Sequence, residues 1–270
     1  MDYKQIIIAT AAQDQKDILI ALLENIGYEG FEEHEAQVIA YVPSADYSEE
    51  ELRTILEPFA LGFTIQEIQQ QNWNAQWESN FEPVVVEGFC TIRAGFHDIE
   101  VKTPYEIVIT PKMSFGTGHH ATTQLMMQQM SKMDFKGAKV LDFGTGTGIL
   151  AILAEMLGAG QILAIDNDEW SYDNTVENIG ANNCRNIETL KGSLELATTE
   201  YDVILANINR HILLEYMNDM YMKLKNEGFI LMSGLLKEDR DIIMNAATAA
   251  GFKHIEASEL NNWIALLFRK

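Results

Sequence analysis

Cysteine is almost missing from this chain: 2 in 270 residues, Cys90 and Cys184. One isolated pair with no C-x-x-C spacing excludes a disulfide framework and a zinc ribbon, and it points to a reducing compartment, the cytoplasm. Basic residues are scarce as well, 19 lysines and arginines against 40 acids, for a formal charge of −21. That balance argues against direct nucleic-acid binding, which needs a basic face to displace counterions. An acidic surface can steer a basic protein partner, or it can simply keep the chain soluble. Long apolar runs are lacking too. The longest, around Ile149 to Leu157, is interrupted by Glu155, so no membrane span is expected. The first residues carry Asp2 and Lys4 and have no apolar core of a secretory signal.

What is present is enough apolar sequence, 47 % of the chain, for one large domain or two smaller ones. The organising stretch is Val140-Leu141-Asp142-Phe143-Gly144-Thr145-Gly146-Thr147-Gly148-Ile149-Leu150. It reads as a strand, an acid at its tip, a glycine turn and the start of a helix. Alternate glycines allow positive φ and let a ligand approach the main chain. The helix that follows directs its unpaired N–H groups at the turn. A dinucleotide fingerprint needs G-x-G-x-x-G. Counted from Gly144, the sixth position is Ile149, and Gly148 comes one residue early. Asp142 would also lie close to a pyrophosphate, where like charges repel. A ligand with a positive centre suits that carboxylate better, and S-adenosylmethionine carries both a sulfonium and an ammonium. Asp166 ends the next apolar run and supplies an acceptor for a ribose. The rival readings of this turn are a nicotinamide dinucleotide site in an oxidoreductase and a glycine-rich turn with no ligand.

Along the chain, Lys4 to Ala11, Gln13 to Ile26, Tyr28 to Glu33, Ala36 to Val42, a helix capped by Ser48, and Phe63 to Ile68 follow the order β-α-β-β-α-β. This predicts a small ferredoxin-like domain over residues 1–69, read as a recognition or docking module. Trp73, Trp77 and Phe81 repeat every four residues, which predicts a helical linker over 70–83 with one aromatic face, packed onto a neighbour. The stretch Met113 to Thr123 contains Phe115-Gly116-Thr117-Gly118-His119-His120 and precedes a helix with Leu125, Met126, Met130 and Met133. Adjacent histidines in a loop seldom converge on one ion and no third ligand lies at zinc spacing, so no metal is expected. The stretch is read instead as a hinged loop over the cofactor, with Thr123 in contact and the threonines as helix N-caps. From Lys139 onward strands and helices alternate, the pattern of a doubly wound parallel sheet. Ser193 and Asn207 fall at the carboxyl ends of successive strands, where such sheets bind ligands. The last two strands, Phe252 to Ala257 and Trp263 to Phe268, are adjacent and predict an antiparallel hairpin at the sheet edge.

These features resemble a class I S-adenosylmethionine-dependent methyltransferase. More narrowly, the chain resembles the bacterial family that methylates large-subunit ribosomal protein eleven (the PrmA type). The narrow match rests on Asn72-Trp73 with Trp77, on Phe115-Gly116-Thr117-Gly118 with His120 and Thr122-Thr123, on Asp142-Phe143-Gly144 with Gly146 and Gly148, and on Ala206-Asn207-Ile208. The resemblance spans essentially the whole chain. It implies a seven-stranded Rossmann-like methyltransferase domain over 84–270 and cofactor contacts at Thr123, Gly144, Asp166 and Asn207. It also implies trimethylation of lysine side chains and the α-amine of the ribosomal protein, recognised by the front domain. Two departures stand out. Ala121 replaces the family's usual proline after the histidine, which removes a φ restraint, and Asn209-Arg210 follows Asn207-Ile208 where many members are more apolar. The proline pair of adenine and glutamine methylases is absent, since Ile208-Asn209 occupies its place. The remaining alternatives are a methyltransferase of another protein or a small molecule, and a scaffold that binds S-adenosylmethionine without catalysis, because methyl transfer to an amine needs no dedicated base.

Overall fold

The computed structural model describes residues 3–10, 12–28, 30–34, 36–68, 81–112 and 115–270. The chain divides into two compact units, Met1–Asn80 and Phe81–Lys270. The front unit runs β1 (Tyr3–Ala9), α1 (Gln13–Glu24), β2 (Gly30–His34), β3 (Gln37–Pro43), α2 (Glu49–Leu56) and β4 (Phe63–Ile68). Its strands form one antiparallel sheet in the order β2-β3-β1-β4. Ile6 and Ile8 share a face because strand side chains alternate. They are fully buried with Leu19 and Leu23 of α1 and Leu52 of α2. Ser48 caps α2, its hydroxyl accepting from the Glu51 amide, and three glutamates in the first turn complement the helix dipole.

The aromatic stripe expected on a linker helix lies mostly outside the described residues, which exclude Trp73 and Trp77. Phe81 is described, and residues 81–83 carry no helix. Its ring is buried in the second unit, 4.7 Å edge-on from His119 and 6.0 Å stacked on His97.

The second unit opens with β5 (Val84–Val86), β6 (Cys90–Ala94) and β7 (Tyr105–Ile109), a separate three-stranded sheet. Then follow α3 (Ala121–Met130), β8 (Lys139–Phe143), α4 (Ile149–Met156), β9 (Gln161–Asp166), α5 (Glu169–Ala181), β10 (Ile187–Lys191) and β11 (Tyr201–Asn207). Next come α6 (Arg210–Glu215), α7 (Met217–Lys223), β12 (Leu224–Leu236), α8 (Arg240–Ala250), β13 (Lys253–Leu260) and β14 (Trp263–Arg269). The sheet order is β10-β9-β8-β11-β12-β14-β13. The first five strands are parallel, while β14 runs antiparallel to both β12 and β13. The expected terminal hairpin is therefore present, with β13 at the edge.

Apolar residues occupy both sheet faces, as buried parallel strands require. Val140, Ile162 and Leu205 pack with α3 and α4 on one side. Leu141, Ile165 and Ile204 pack with α6, α7 and α8 on the other. The strand order reverses between β8 and β11, which opens a crevice at their carboxyl ends. The helices α6 and α7 and the separate sheet of β5 to β7 have no counterpart among the elements expected from sequence. No helix among the described residues is long and apolar enough to cross a membrane.

Candidate active site

A cavity of about 640 Å³ opens at that crevice. This falls within the usual range of small-molecule sites. Five of the expected residues line it: Gly144, Gly146, Asp166, Ser193 and Asn207. Three do not. Thr123, Asp142 and Gly148 stand behind the wall, the first two with no exposure.

The wall begins with the glycine turn. Gly144 and Gly146 both have positive φ, 76° and 59°. A Cβ on Gly144 would overlap the Ile208 Cγ2 methyl, and one on Gly146 would overlap the Phe115 carbonyl oxygen. Both glycines nonetheless border the cavity with their main chain. Their missing side chains make room for the protein's own neighbouring segments. Thr147 completes the arrangement: its hydroxyl donates to the Gly116 carbonyl at 2.6 Å and its amide to the Phe115 carbonyl at 3.0 Å. The Phe115–His120 segment, read from sequence as a hinged cover, is tied to the turn along its described part. Met113 and Ser114 fall outside it.

Asp142 holds the turn from below. Its Oδ2 accepts from the Thr145 hydroxyl at 2.6 Å. Complete burial pushes its pKa up to about 7, against the opposing effect of that hydrogen bond. Asp166 faces the cavity with one oxygen accepting from the Gly146 amide at 2.9 Å and the other from the Asp168 amide at 3.0 Å. Each carboxylate oxygen retains a second lone-pair site for a ligand hydroxyl. Ser193, in the turn after β10, donates to the Tyr216 hydroxyl at 3.1 Å.

Asn207 ends β11. Its Nδ2 donates to the Thr123 hydroxyl at 3.4 Å, while its buried Oδ1 has no partner among the described residues. A buried amide oxygen without a donor is costly unless a ligand supplies one. This orphan acceptor, together with the free lone pairs of Asp166, fits a ligand that brings an ammonium and ribose hydroxyls. Among the described residues no group of three His, Cys, Asp or Glu side chains is placed to hold a metal ion. Both thiols are free, and burial pushes each up to about 12, which leaves them unreactive.

Sequence reasoning missed several wall residues. Glu215 and Tyr216 come from the unforeseen α6 and its end. Trp263 is delivered by the β13–β14 turn, where Asn261 and Asn262 both have positive φ, 50° and 66°. Two successive left-handed residues make a tight hairpin, and the Asn-Asn pair between two apolar runs was the available signal. Because β14 is antiparallel to β12, its first residue lies at the carboxyl edge of the parallel strands. His120, rather than a threonine, is the N-cap of α3, its Nδ1 accepting from the Thr122 amide at 3.3 Å.

The parallel sheet with its antiparallel final strand, the crevice at β8 and β11, and the acid at the end of β9 define a class I S-adenosylmethionine-dependent methyltransferase. The family described as Ribosomal protein L11 methyltransferase (PrmA) matches residues 4–270. Similar proteins of that name include one from Porphyromonas gingivalis, 44 % identical over 93 % of this chain and 90 % of its own length. Another, from Phocaeicola vulgatus, is 40 % identical over 93 % of this chain and 92 % of its own. A crystal structure of ribosomal protein L11 methylase from Lactobacillus delbrueckii subsp. bulgaricus superposes with a TM-score of 0.66 at 30 % identity, covering 70 % of this chain and 100 % of that one. A precorrin-6y C5,15-methyltransferase from Geobacter metallireducens shares the fold alone, at 15 % identity and a TM-score of 0.51. The chain belongs to the ribosomal protein L11 methyltransferase family, and its cofactor is S-adenosylmethionine.

Proposed function

We propose that this enzyme methylates amino groups, lysine side chains and the α-amine, of ribosomal protein L11 in the cytoplasm. The relatives' names supply the substrate. The observation that carries the chemistry is Asn207, which borders the cavity and whose buried Oδ1 is an acceptor with no partner among the described residues. When bound, S-adenosylmethionine supplies an electrophilic methyl on a sulfonium. Asp166 would accept its ribose hydroxyls, the turn at Gly144 and Gly146 would receive its methionine part, and Ser193 borders the same cavity. Asp142, Gly148 and Thr123 act through others: Asp142 fixes the turn through Thr145, Gly148 starts α4, and Thr123 orients Asn207. The amine arrives neutral after losing a proton to solvent, and Asn207 orients its lone pair. Orientation of this kind supplies much of the rate of an in-line displacement.

The front unit is read as a ferredoxin-like recognition module. Its β-α-β-β-α-β order with strands arranged β2-β3-β1-β4 supports that reading. The protein's excess of acids suits a lysine-bearing partner and disfavours nucleic acid. The test is incubation with isotopically labelled S-adenosylmethionine and purified L11, followed by mass spectrometry of peptides. Label on lysine and amino-terminal nitrogens is expected. Label confined to other atoms, or transferred only to other proteins of an extract, overturns the proposal.

A further inference from the structure

The glycine turn keeps its main-chain donors to itself. The amides of Gly144 and Thr145 both reach the Ile165 carbonyl, at 2.8 and 3.1 Å. Gly146 donates to Asp166, Thr147 to the Phe115 carbonyl, and Gly148 to the Thr145 carbonyl at 2.9 Å. Every amide from Gly144 to Gly148 is thus spent inside the protein. The turn's polar contact with a ligand falls to Asp166 and to carbonyl oxygens. Of these amides, only that of Gly146 is bonded to a carboxylate on the cavity wall. The Gly146 carbonyl has no main-chain donor among the described residues, and the Thr175 hydroxyl holds it at 2.8 Å. Thr175 belongs to α5, whose N-cap is Asp168, and the Asp168 amide donates to Asp166 Oδ1 at 3.0 Å. One helix therefore grips Asp166 at its cap and Gly146 from its flank. Thr175 itself has no exposure and does not line the cavity. Its Cγ2 lies only 2.9 Å from where a Cβ on Gly148 would stand.

We infer that Thr175 is a positioning residue for the cofactor, acting through the Gly146 peptide on the Asp166 carboxylate. This rests on the reading above that Asp166 accepts the ribose hydroxyls. Gly146 sits at φ 59° with no side chain to restrain it, so its orientation depends on what its polar atoms hold. The bond from the Thr147 amide to Phe115 fixes one end of the peptide that follows Gly146, and Thr175 fixes the other. With the hydroxyl removed, the buried carbonyl has no donor, and the turn relaxes to lessen that cost. Relaxation carries the Gly146 amide off Asp166 Oδ2. The carboxylate then keeps one fixed donor, the Asp168 amide, and is free to rotate. A rotating carboxylate must be ordered when the ribose binds, and that entropy is subtracted from affinity. In the intact protein both oxygens are aimed before the ligand arrives. Since Thr175 lies outside the cavity wall, the chemical step at saturating cofactor is left nearly unchanged.

The experiment measures S-adenosylhomocysteine affinity by calorimetry in the full-length enzyme. Thr175→Val keeps the volume and the packing against Gly148 but removes the hydroxyl, and it is expected to raise Kd roughly tenfold. Thr175→Ser retains the hydroxyl and is expected to stay within about threefold of the wild type. The effect should vanish where its target is missing: in an Asp166→Ala background, Thr175→Val should change Kd by less than about twofold. In turnover with L11, the valine variant should raise KM for S-adenosylmethionine with kcat within about twofold, a split that a general loss of structure would not give. Thermal melts check folding, and Thr175→Ala takes the place of the valine variant if that one does not fold. Loss of folding in both makes the role purely structural and overturns the inference. Unchanged affinity without the hydroxyl, full additivity with Asp166→Ala, or a serine variant as weak as the valine one also overturns it. If Asp166→Ala alone leaves affinity unchanged, the reading of Asp166 fails, an outcome distinct from an Asp166-dependent site indifferent to Thr175.

Discussion

Asp166 and Asp142 are both acids at strand ends flanking the glycine turn, and their surroundings give them opposite tasks. Asp166 is open to the cavity and tied only by backbone amides, so it can accept further hydrogen bonds. Asp166→Ala is expected to weaken S-adenosylhomocysteine binding by about 1–3 kcal/mol, the cost of unmet ribose hydroxyls. Calorimetry showing unchanged affinity would remove Asp166 from the site. Asp142 is closed off, and its folded pKa of about 7 lies above its ordinary 3.8. The folded protein therefore holds that proton more tightly than the unfolded chain does. The resulting stability is complete at acid pH and is lost as pH rises towards and through 7. Asp142→Asn removes the ionisable group while keeping an acceptor for Thr145. The variant should gain on the wild type between pH 5 and pH 8 by an amount on the order of 2–4 kcal/mol. Thermal melts across that range would show it, and a constant difference in Tm would count against it. Gly144→Ala meets Ile208 Cγ2 at positive φ. It should cost roughly 1–3 kcal/mol of stability, and Ile208→Ala should recover part of the loss in the double variant, since it removes the overlapping methyl but leaves the backbone strain.

At the scale of elements, the main sheet was legible because buried parallel strands spell continuous apolar runs punctuated by Gly144, Asp166 and Asn207. The terminal hairpin was legible for the same reason. What could not be read was pairing carried by polar side chains. Asn174 and Asn178 of α5 and Asn182, its C-cap, recur every four residues. On sequence alone they look like a solvated stripe. In the structure they serve as backbone surrogates along β7 and the segment after it. Asn182 bonds both the amide and the carbonyl of Val108, and Asn174 donates to the Thr110 carbonyl. Asn178 accepts from the Thr110 amide at 2.7 Å and donates to the Thr147 carbonyl at 2.8 Å. One side chain thus joins the small sheet to the glycine turn. Asn178→Ala leaves the buried Thr147 carbonyl and the half-buried Thr110 amide without this partner and should cost about 2–4 kcal/mol. Hydrogen exchange at the Thr110 amide is expected to accelerate well beyond that at β11, while uniform acceleration would mean the bond carries no local role. The helices α6 and α7 escaped for a related reason: each is under two full turns, too short for a helical repeat to declare itself. Glu215 and Tyr216 stayed hidden with them.

For the whole molecule, the two units keep separate cores. Ile6, Leu19 and Leu52 belong to a cluster drawn wholly from the front unit, and both clusters of the second unit begin at Phe81 or later. Each wall residue of the cavity also lies beyond Phe81. A fragment of residues 81–270 therefore retains every described residue that lines the cavity, and it should fold and bind S-adenosylhomocysteine with an affinity within about threefold of the full chain. Recognition of a folded protein is a different demand, because positioning an amine over the donor methyl requires a docking surface with its own anchor residues. If the front unit provides that surface, the fragment should lose L11 methylation by on the order of 100-fold, about 2.7 kcal/mol of transition-state stabilisation. Adding the separate front unit in trans should not restore it at micromolar concentration, since the covalent link supplies an effective concentration in the millimolar range. A fragment that binds cofactor and methylates L11 as fast as the full chain would transfer the recognition role to the catalytic unit. The cavity mouth, with Phe115 and Trp263, would then become the first place to look for it.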